Sequence, residues 1–594
     1  MSTTRSSFGG VVVLAVVCLF ATFTSALFAD EERTASSLMS ANVVAYIELT
    51  ETDSLIAHLL DREFGKRIQE VPALKAALQS NQFKQGLVVL TLAEIGLNTT
   101  WREFTQDFTA GGVYGAVEAN GNPVLLVQAK SGEWLDQARE KVMNIVRTQA
   151  KRSGNSDPIK ESNYRDLTTY QVGEAWLGYV GDWLIVTQHE KTCHQVIDRF
   201  LDGADATLAD NKRFKQAKAN AGENLAWAFV DAEKIRPKNP PDQLKYTDNI
   251  LAEILFGGIL DVIRNTPYAT SSIKIEGRKL AWEVAAPFDA KWSGESRQHF
   301  FGKQGKGEAP LRLQTKRHLA SMAAYRDISQ AWLRYSDLMT EKAADGLAQA
   351  DATLATFFGG KDFGDDILST LTPQVQLIVS GQDFEEFPLK PTIKLPAFAL
   401  VGTLRDVKTM KPELRRVFLS FVGFLNVVGA MEGNMQLNFD IQEDDDTSLL
   451  TSSFLPIKGK DDQRVDEAPI QFNFSPSVAF RGDRFVISSS KALAKELATA
   501  KAVQTTVSNT DIYADGEQIG AILKQNLESL IGQNMLNEGH TREQAEQEIN
   551  IILTIVSAIR GAELRLVTDD DLIRVKLQLE VSGSSEGTSD QAKQ

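Results

Sequence analysis

Gly181-Asp182-Trp183-Leu184-Ile185-Val186 and Gly482-Asp483-Arg484-Phe485-Val486-Ile487 are two forms of one unit, a Gly-Asp turn that opens into an apolar strand. Glycine and aspartate favour a tight reversal, and the β-branched and aromatic residues after it favour a pleated, half-buried strand. Upstream of the first copy, residues 175–179 complete a hairpin. Downstream of each copy a polar turn leads into an amphipathic helix, over 191–201 in the first case and 491–497 in the second.

The elements around these two units recur in one order. The first half has a strand at 43–49, then a helix at 54–68 capped by Thr52 or Asp53, with Leu55, Ile56, Leu59 and Leu60 on one face. A hairpin follows at 112–118 and 123–129 around Asn120-Gly121-Asn122, then a helix at 134–151. Beyond the Gly181 hairpin come a strand at 225–231, an apolar helix at 250–263 and a closing hairpin at 273–276 and 280–285. The second half repeats this as a strand at 319–325, Asp327 and a helix at 328–341, then strands at 375–380 and 398–404. A helix at 412–428, the Gly482 unit, a strand at 512–515 and a hairpin at 562–567 and 572–580 complete it. Hairpins outnumber crossovers, which favours antiparallel pairing. The expected fold is α+β: two divergent repeats of mostly antiparallel sheet with helices packed on one face. The repeats fall at 34–288 and 313–581, with a Gly- and Lys-rich linker at 289–312 and a disordered polar tail at 582–594.

Composition limits the function classes. The chain has 594 residues, 43% hydrophobic and 24% charged, an ordinary globular balance with enough length for two full cores. A net charge of -15 repels phosphate backbones, and the longest basic cluster is Lys316-Arg317-His318, so nucleic acid is excluded as a partner. At the N-terminus Arg5 precedes an apolar run at 11–23, then Thr24-Ser25-Ala26-Leu27-Phe28-Ala29 and Asp30-Glu31-Glu32. This is the pattern of a secretory signal peptide over 1–29, cleaved after Ala26 or Ala29, and it places the protein in the periplasm, cell envelope or extracellular space. Left uncleaved, the same segment would tether the chain to a membrane. Cleavage removes Cys18 and leaves Cys193 without a disulfide partner.

The first half also resembles an uncharacterised family of secreted bacterial proteins, a domain of unknown function (number 3352). The residues carrying the likeness are Gly178-Tyr179-Val180-Gly181-Asp182-Trp183-Leu184-Ile185-Val186, the helix to Asp202-Gly203, Thr207-Leu208-Ala209-Asp210-Asn211-Lys212-Arg213-Phe214, and Leu225-Ala226-Trp227-Ala228-Phe229-Val230-Asp231. The resemblance implies export and an α+β repeat, and brings no activity and no site residues with it.

Candidate chemistry is sparse. His189, Cys193 and His194 form the densest group of soft ligands, but no second cluster completes a zinc site. Glu443-Asp444-Asp445-Asp446 and Asp569-Asp570-Asp571 offer oxygen ligands for Ca²⁺, yet each falls between two strand patterns, where aspartate favours a turn. Ser488 and Lys491 match Ser-x-x-Lys without its partner motifs, and Gly111-Gly112 and Gly257-Gly258 match no nucleotide fingerprint. Asn98-Thr99-Thr100 fits a glycosylation acceptor in a eukaryotic secretory route. Asp53, Asp231, Asp327 and Asp515 each follow a strand and precede a helix, the position of an N-cap. The apolar helices at 250–263 and 417–431 are either buried in the core or a surface for a protein partner or lipid. No cofactor, metal or catalytic residue is assigned. The expected function is an exported, non-enzymatic binding or structural protein for a protein partner or hydrophobic ligand. The alternatives are a hydrolase built from scattered carboxylates and a membrane-tethered envelope component.

Overall fold

The computed structural model describes residues 33–57, 94, 99–152, 157–204, 206–236, 246–385, 390–431, 436–444, 446–454, 470–503, 506–569 and 571–582. The leader at 1–29, Leu59 and Leu60 of the helix at 54–68, Asn98 and the tail beyond 582 lie outside the described residues. The protein is α+β, and its chain divides into two compact units. Unit 1 holds the residues up to Lys238 together with Thr266–Pro287, and unit 2 holds Asn239–Asn265 together with Phe288–Ser582. The chain therefore leaves unit 1, gives one helix to unit 2, and returns for the last hairpin of unit 1.

Unit 1 has the strands β1 (Val43–Leu49), β2 (Gly112–Glu118), β3 (Pro123–Gln128), β4 (Ile159–Tyr164), β5 (Leu167–Val172), β6 (Ala175–Val180), β7 (Trp183–Thr187), β8 (Ala226–Val230), β9 (Ala269–Glu276) and β10 (Lys279–Pro287). All pair antiparallel, in the order β10-β9-β8-β1-β2-β3-β7-β6-β5-β4. The Gly181 turn forms as expected: Gly181 has φ 57, in the left-handed region where a Cβ is strained. The β4–β5 hairpin is absent from the sequence reading. Its turn uses Arg165 and Asp166 at φ 53 and 63, without the Asn-Gly pair that usually marks such a reversal.

Alternate residues of β7 define the two faces of this sheet. Trp183 and Ile185 pack under helix α2 (Glu190–Asp202) with its buried Cys193, Val196 and Ile197. The same face carries Tyr46, Trp227 and Phe229, gripped by Phe214 of α3 (Lys212–Ala219) in edge-to-face contacts of 5.2 Å to Tyr46 and 5.4 Å to Phe229. Leu184 and Leu177 face the other way, where Leu135 and Met143 of α1 (Gly132–Arg152) cover the β3–β6 side. A partial second layer thus joins the helices expected on one face.

Unit 2 has β11 (His318–Tyr325), β12 (Gln374–Ser380), β13 (Ala397–Thr403), β14 (Leu437–Glu443), β15 (Thr447–Phe454), β16 (Ser477–Arg481), β17 (Arg484–Ser488), β18 (Thr510–Asp515), β19 (Ile559–Thr568) and β20 (Leu572–Val581). Their order is β20-β19-β18-β11-β12-β13-β17-β16-β15-β14, the unit 1 order with every strand number raised by ten. The registers correspond as well. Ala45 faces Val230 and Val117, as Ala320 faces Ala514 and Val379. A register shift sits between Val43 and Ala45 in one unit and between His318 and Ala320 in the other.

Two boundaries differ from the sequence reading. The helix at 250–263, α4 (Ile250–Asn265), belongs to unit 2. Residues 289–312, expected as a linker, are folded into unit 2, with Phe300 and Phe301 buried. An added Cβ at Gly258 of α4 would sit 2.5 Å from the Phe300 ring, so glycine permits this close approach. The pair is embedded among Gly, Lys and Gln, which hides it from any periodic signal. Unit 2 also contains α5 (Val407–Met431) between β13 and β14, the place α1 takes in unit 1. Met410, Phe418 and Val422 of α5 pack on Leu450, Val478, Phe480 and Phe485. On the opposite face lies α6 (Lys491–Thr499), whose Leu493, Ala494 and Leu497 meet Ala399, Ala479 and Val486.

Candidate functional site

The part of the unit 1 sheet that α1 leaves uncovered is apolar and hollow. Ala228, Ile47, Gly115, Leu125 and Val186 lie in register across β8, β1, β2, β3 and β7. A second row, Val230, Ala45, Val117 and Pro123, runs beside it. Side chains two residues apart on a strand share a face, so both rows point the same way. Gly115 contributes no side chain and Ala228 a single methyl, and the rows enclose a trough of about 620 Å³. Ile47 and Val117 are 47% and 40% exposed on its walls. Glu174 and Gln188 add polar groups where β6 and β7 approach it. A concave apolar surface of this volume with a few polar groups at one end is suited to a small hydrophobic ligand. It brings no nucleophile together with a base.

The groups singled out in the sequence are used structurally. His189 is the N-cap residue of α2, and Cys193 is fully buried, its thiol pushed up to about 12 by burial and then by Glu190. His194 stacks on Tyr164 with ring centroids 3.6 Å apart. Among the described residues no group of three or more His, Cys, Asp or Glu is placed to hold a metal ion. Asp231, Asp327 and Asp515 cap helices by accepting bonds from the backbone N–H of Lys234, Gln330 and Gln518. Asp53 falls inside the helix Thr52–Ile56 instead of before it. The Ser488 hydroxyl accepts from the Ser490 N–H, while the Lys491 ammonium reaches Asp440 at 3.0 Å, so the two do not form a nucleophile–base pair. Asp444 and Asp569 each close a hairpin through their backbone N–H, and Glu443 and Asp569 pair with Arg415 and Arg574. Asp445 and Asp570 lie outside the described residues.

A buried ionic cluster in unit 2 was missed in the sequence. Arg297 donates to Glu253 Oε1 at 2.8 Å and Oε2 at 3.1 Å, and to Asp261 Oδ1 at 2.9 Å. Glu253 and Asp261 stand eight residues apart on one face of α4, a spacing that brings both to the same side of the helix. Burial holds the Asp261 carboxyl above and the His299 imidazole below their usual values. Beside them Arg326 donates to Ile254 O, Asn509 and Thr510 and lies over the Phe300 ring, its pKa lowered to about 9 by burial. Both carboxylates of the cluster are sealed from solvent and bound to one guanidinium, which suits a lock and leaves no path for a substrate. The outward face of α4 is apolar: Leu251, Phe256 and Ile263 are exposed.

No family model and no curated protein matches the chain. Among solved structures, crystal form I of TP0453 aligns at 10% identity over 43% of this chain and 79% of that one, with a TM-score of 0.23. Crystal form III of TP0453 aligns at 11% identity over 43% and 80%, with a TM-score of 0.22. A similarity of that size transfers neither fold nor function.

Proposed function

We propose that this protein is an exported, non-enzymatic binding protein whose unit 1 trough holds a hydrophobic ligand. The observation that carries the reading is the row Ala228, Ile47, Gly115, Leu125 and Val186, where two small residues open a space of about 620 Å³ on an apolar sheet face. Each 100 Å² of hydrocarbon taken from water there is favourable by about 2.5 kcal/mol. The N-terminal charge and hydropathy pattern and the likeness to the secreted bacterial family support export. The matched strand order and registers support reading the two units as divergent copies, with the ligand role kept by the first.

The test is titration with cis-parinaric acid, a fluorescent fatty acid. Saturable binding at one site per chain is expected, weakened at least tenfold by Gly115→Leu. An added Cβ there already meets Ile47 Cγ2 at 3.0 Å, so the larger side chain must occupy the trough. Equal affinity in the two proteins, or no saturable binding to either, rejects the reading. Mass spectrometry of the native N-terminus checks cleavage after Ala26 or Ala29.

A further inference from the structure

Helix α5 is built in two blocks. Its first ten residues, 407–416, carry Lys408, Lys411, Arg415 and Arg416 against one carboxylate, Glu413. Its last fifteen, 417–431, carry no charge at all. Phe418 and Val422 of the second block face the core, which turns Phe421, Phe424, Val427 and Met431 outward. These four recur every three to four residues and so form one stripe, about 15 Å long at the helical rise. Its exposure grows towards the helix end, from 43% at Phe421 and 50% at Phe424 to 62% at Val427 and 84% at Met431. By length and composition the helix is apolar enough to cross a membrane, yet its inner face is committed to the unit 2 core.

A protein–protein contact carries polar groups around its apolar centre. This stripe has hydrocarbon and sulfur along its length, with the exposed Ser420 beside it and the exposed cations Lys408 and Arg416 towards one end. That is the arrangement of a helix that lies in a lipid interface, apolar face among the acyl chains and basic residues at the phosphates. We propose that α5 docks unit 2 on an anionic lipid surface, with Val427 and Met431 entering the acyl region and the exposed Lys408 and Arg416 meeting the headgroups. This surface is separate from the unit 1 trough and does not depend on it.

The test places an environment-sensitive fluorophore at Val427→Cys in the full chain carrying Cys18→Ser, with Cys193 remaining buried. Vesicles of phosphatidylcholine with and without phosphatidylglycerol are then added. The expected result is a blue shift and a rise in emission of at least twofold with the anionic vesicles. The rise falls severalfold in about 0.5 M salt, where charge attraction is screened. Lys408→Glu with Arg416→Glu lowers it likewise. No change with either vesicle overturns the proposal, even if the chain co-sediments through its N-terminal segment. So does an equal change with neutral vesicles. A shift that follows protein concentration without vesicles assigns the stripe to a second copy of the chain and also overturns it.

Discussion

Where Gly115 leaves space on β2 of unit 1, Leu377 stands at the matching position on β12 of unit 2, and Ile512 stands where unit 1 has Ala228. The strand path and the register are common to both units, so the side chains alone separate a hollow face from a filled one. In unit 2 Ile512, Met322, Leu377, Leu400 and Ile487 make an unbroken apolar row, with Leu377 46% exposed. A sheet face becomes a cavity through what its central positions lack. The units also differ in anchoring: unit 2 has the Glu253–Asp261–Arg297 lock, which ties α4 to the segment before β11.

The largest expected effect comes from breaking that lock. Arg297→Met strands two buried carboxylates and should cost unit 2 about 3–5 kcal/mol. Amide exchange read strand by strand should accelerate in β11–β20 while β1–β10 keep their protection; uniform acceleration would deny the units separate stability. The next effect is acid sensitivity at His318, whose counterpart in unit 1 is Val43. Burial, then Arg312, lowers His318 to about 4, with Asp515 opposing them. Below the unfolded value of about 6.5 the unfolded chain takes up a proton that the folded one refuses. Stability from this group is therefore complete above about pH 6.5 and falls by about 3 kcal/mol as pH drops towards 4. Urea unfolding at stepped pH should show this slope, and His318→Gln should flatten it.

Paired caps give a smaller contrast. Asp231 is fully buried and also accepts from Arg213, whereas the half-buried Asp515 caps Gln518. Asp515→Ala should cost about 1 kcal/mol and Asp231→Ala about 3, because only the buried Asp231 also accepts from a guanidinium, that of Arg213. Equal losses would make the two caps equivalent. The smallest effect is the reciprocal of the Gly115 test: Leu377→Gly with Ile512→Ala should open a second trough and raise parinaric acid binding from one site to two, at about tenfold weaker affinity for the new site, or about 1.4 kcal/mol.

The strands were legible where turn chemistry and apolar alternation coincide, as at Gly181 and Gly482, both at positive φ. They were hidden where a polar strand such as Ile159–Tyr164 turns through Arg165 and Asp166. The caps at Asp231, Asp327 and Asp515 could be read because a carboxylate before a helix has one dominant use. The trough could not, since it is made by Gly115 and Ala228, and a small residue in a strand carries no chemical label of its own. The lock was half visible. Glu253 and Asp261 inside an apolar helix are conspicuous, but Arg297 lies in a stretch whose glycines suggested a linker.

The interleaved path of the chain has a consequence for synthesis. On the ribosome, α4 emerges before Arg297, Phe300 and Arg326, the residues that receive its buried side. Until at least 326 residues have been made, the helix offers both its carboxylates and its Gly257-Gly258 and Val262 face to solvent. A nascent chain stalled in that window is the form a holding chaperone would bind. For the same reason no single scission yields two whole pieces: cutting after Pro287 strips α4 from its seat, and cutting before Asn239 orphans the hairpin β9–β10.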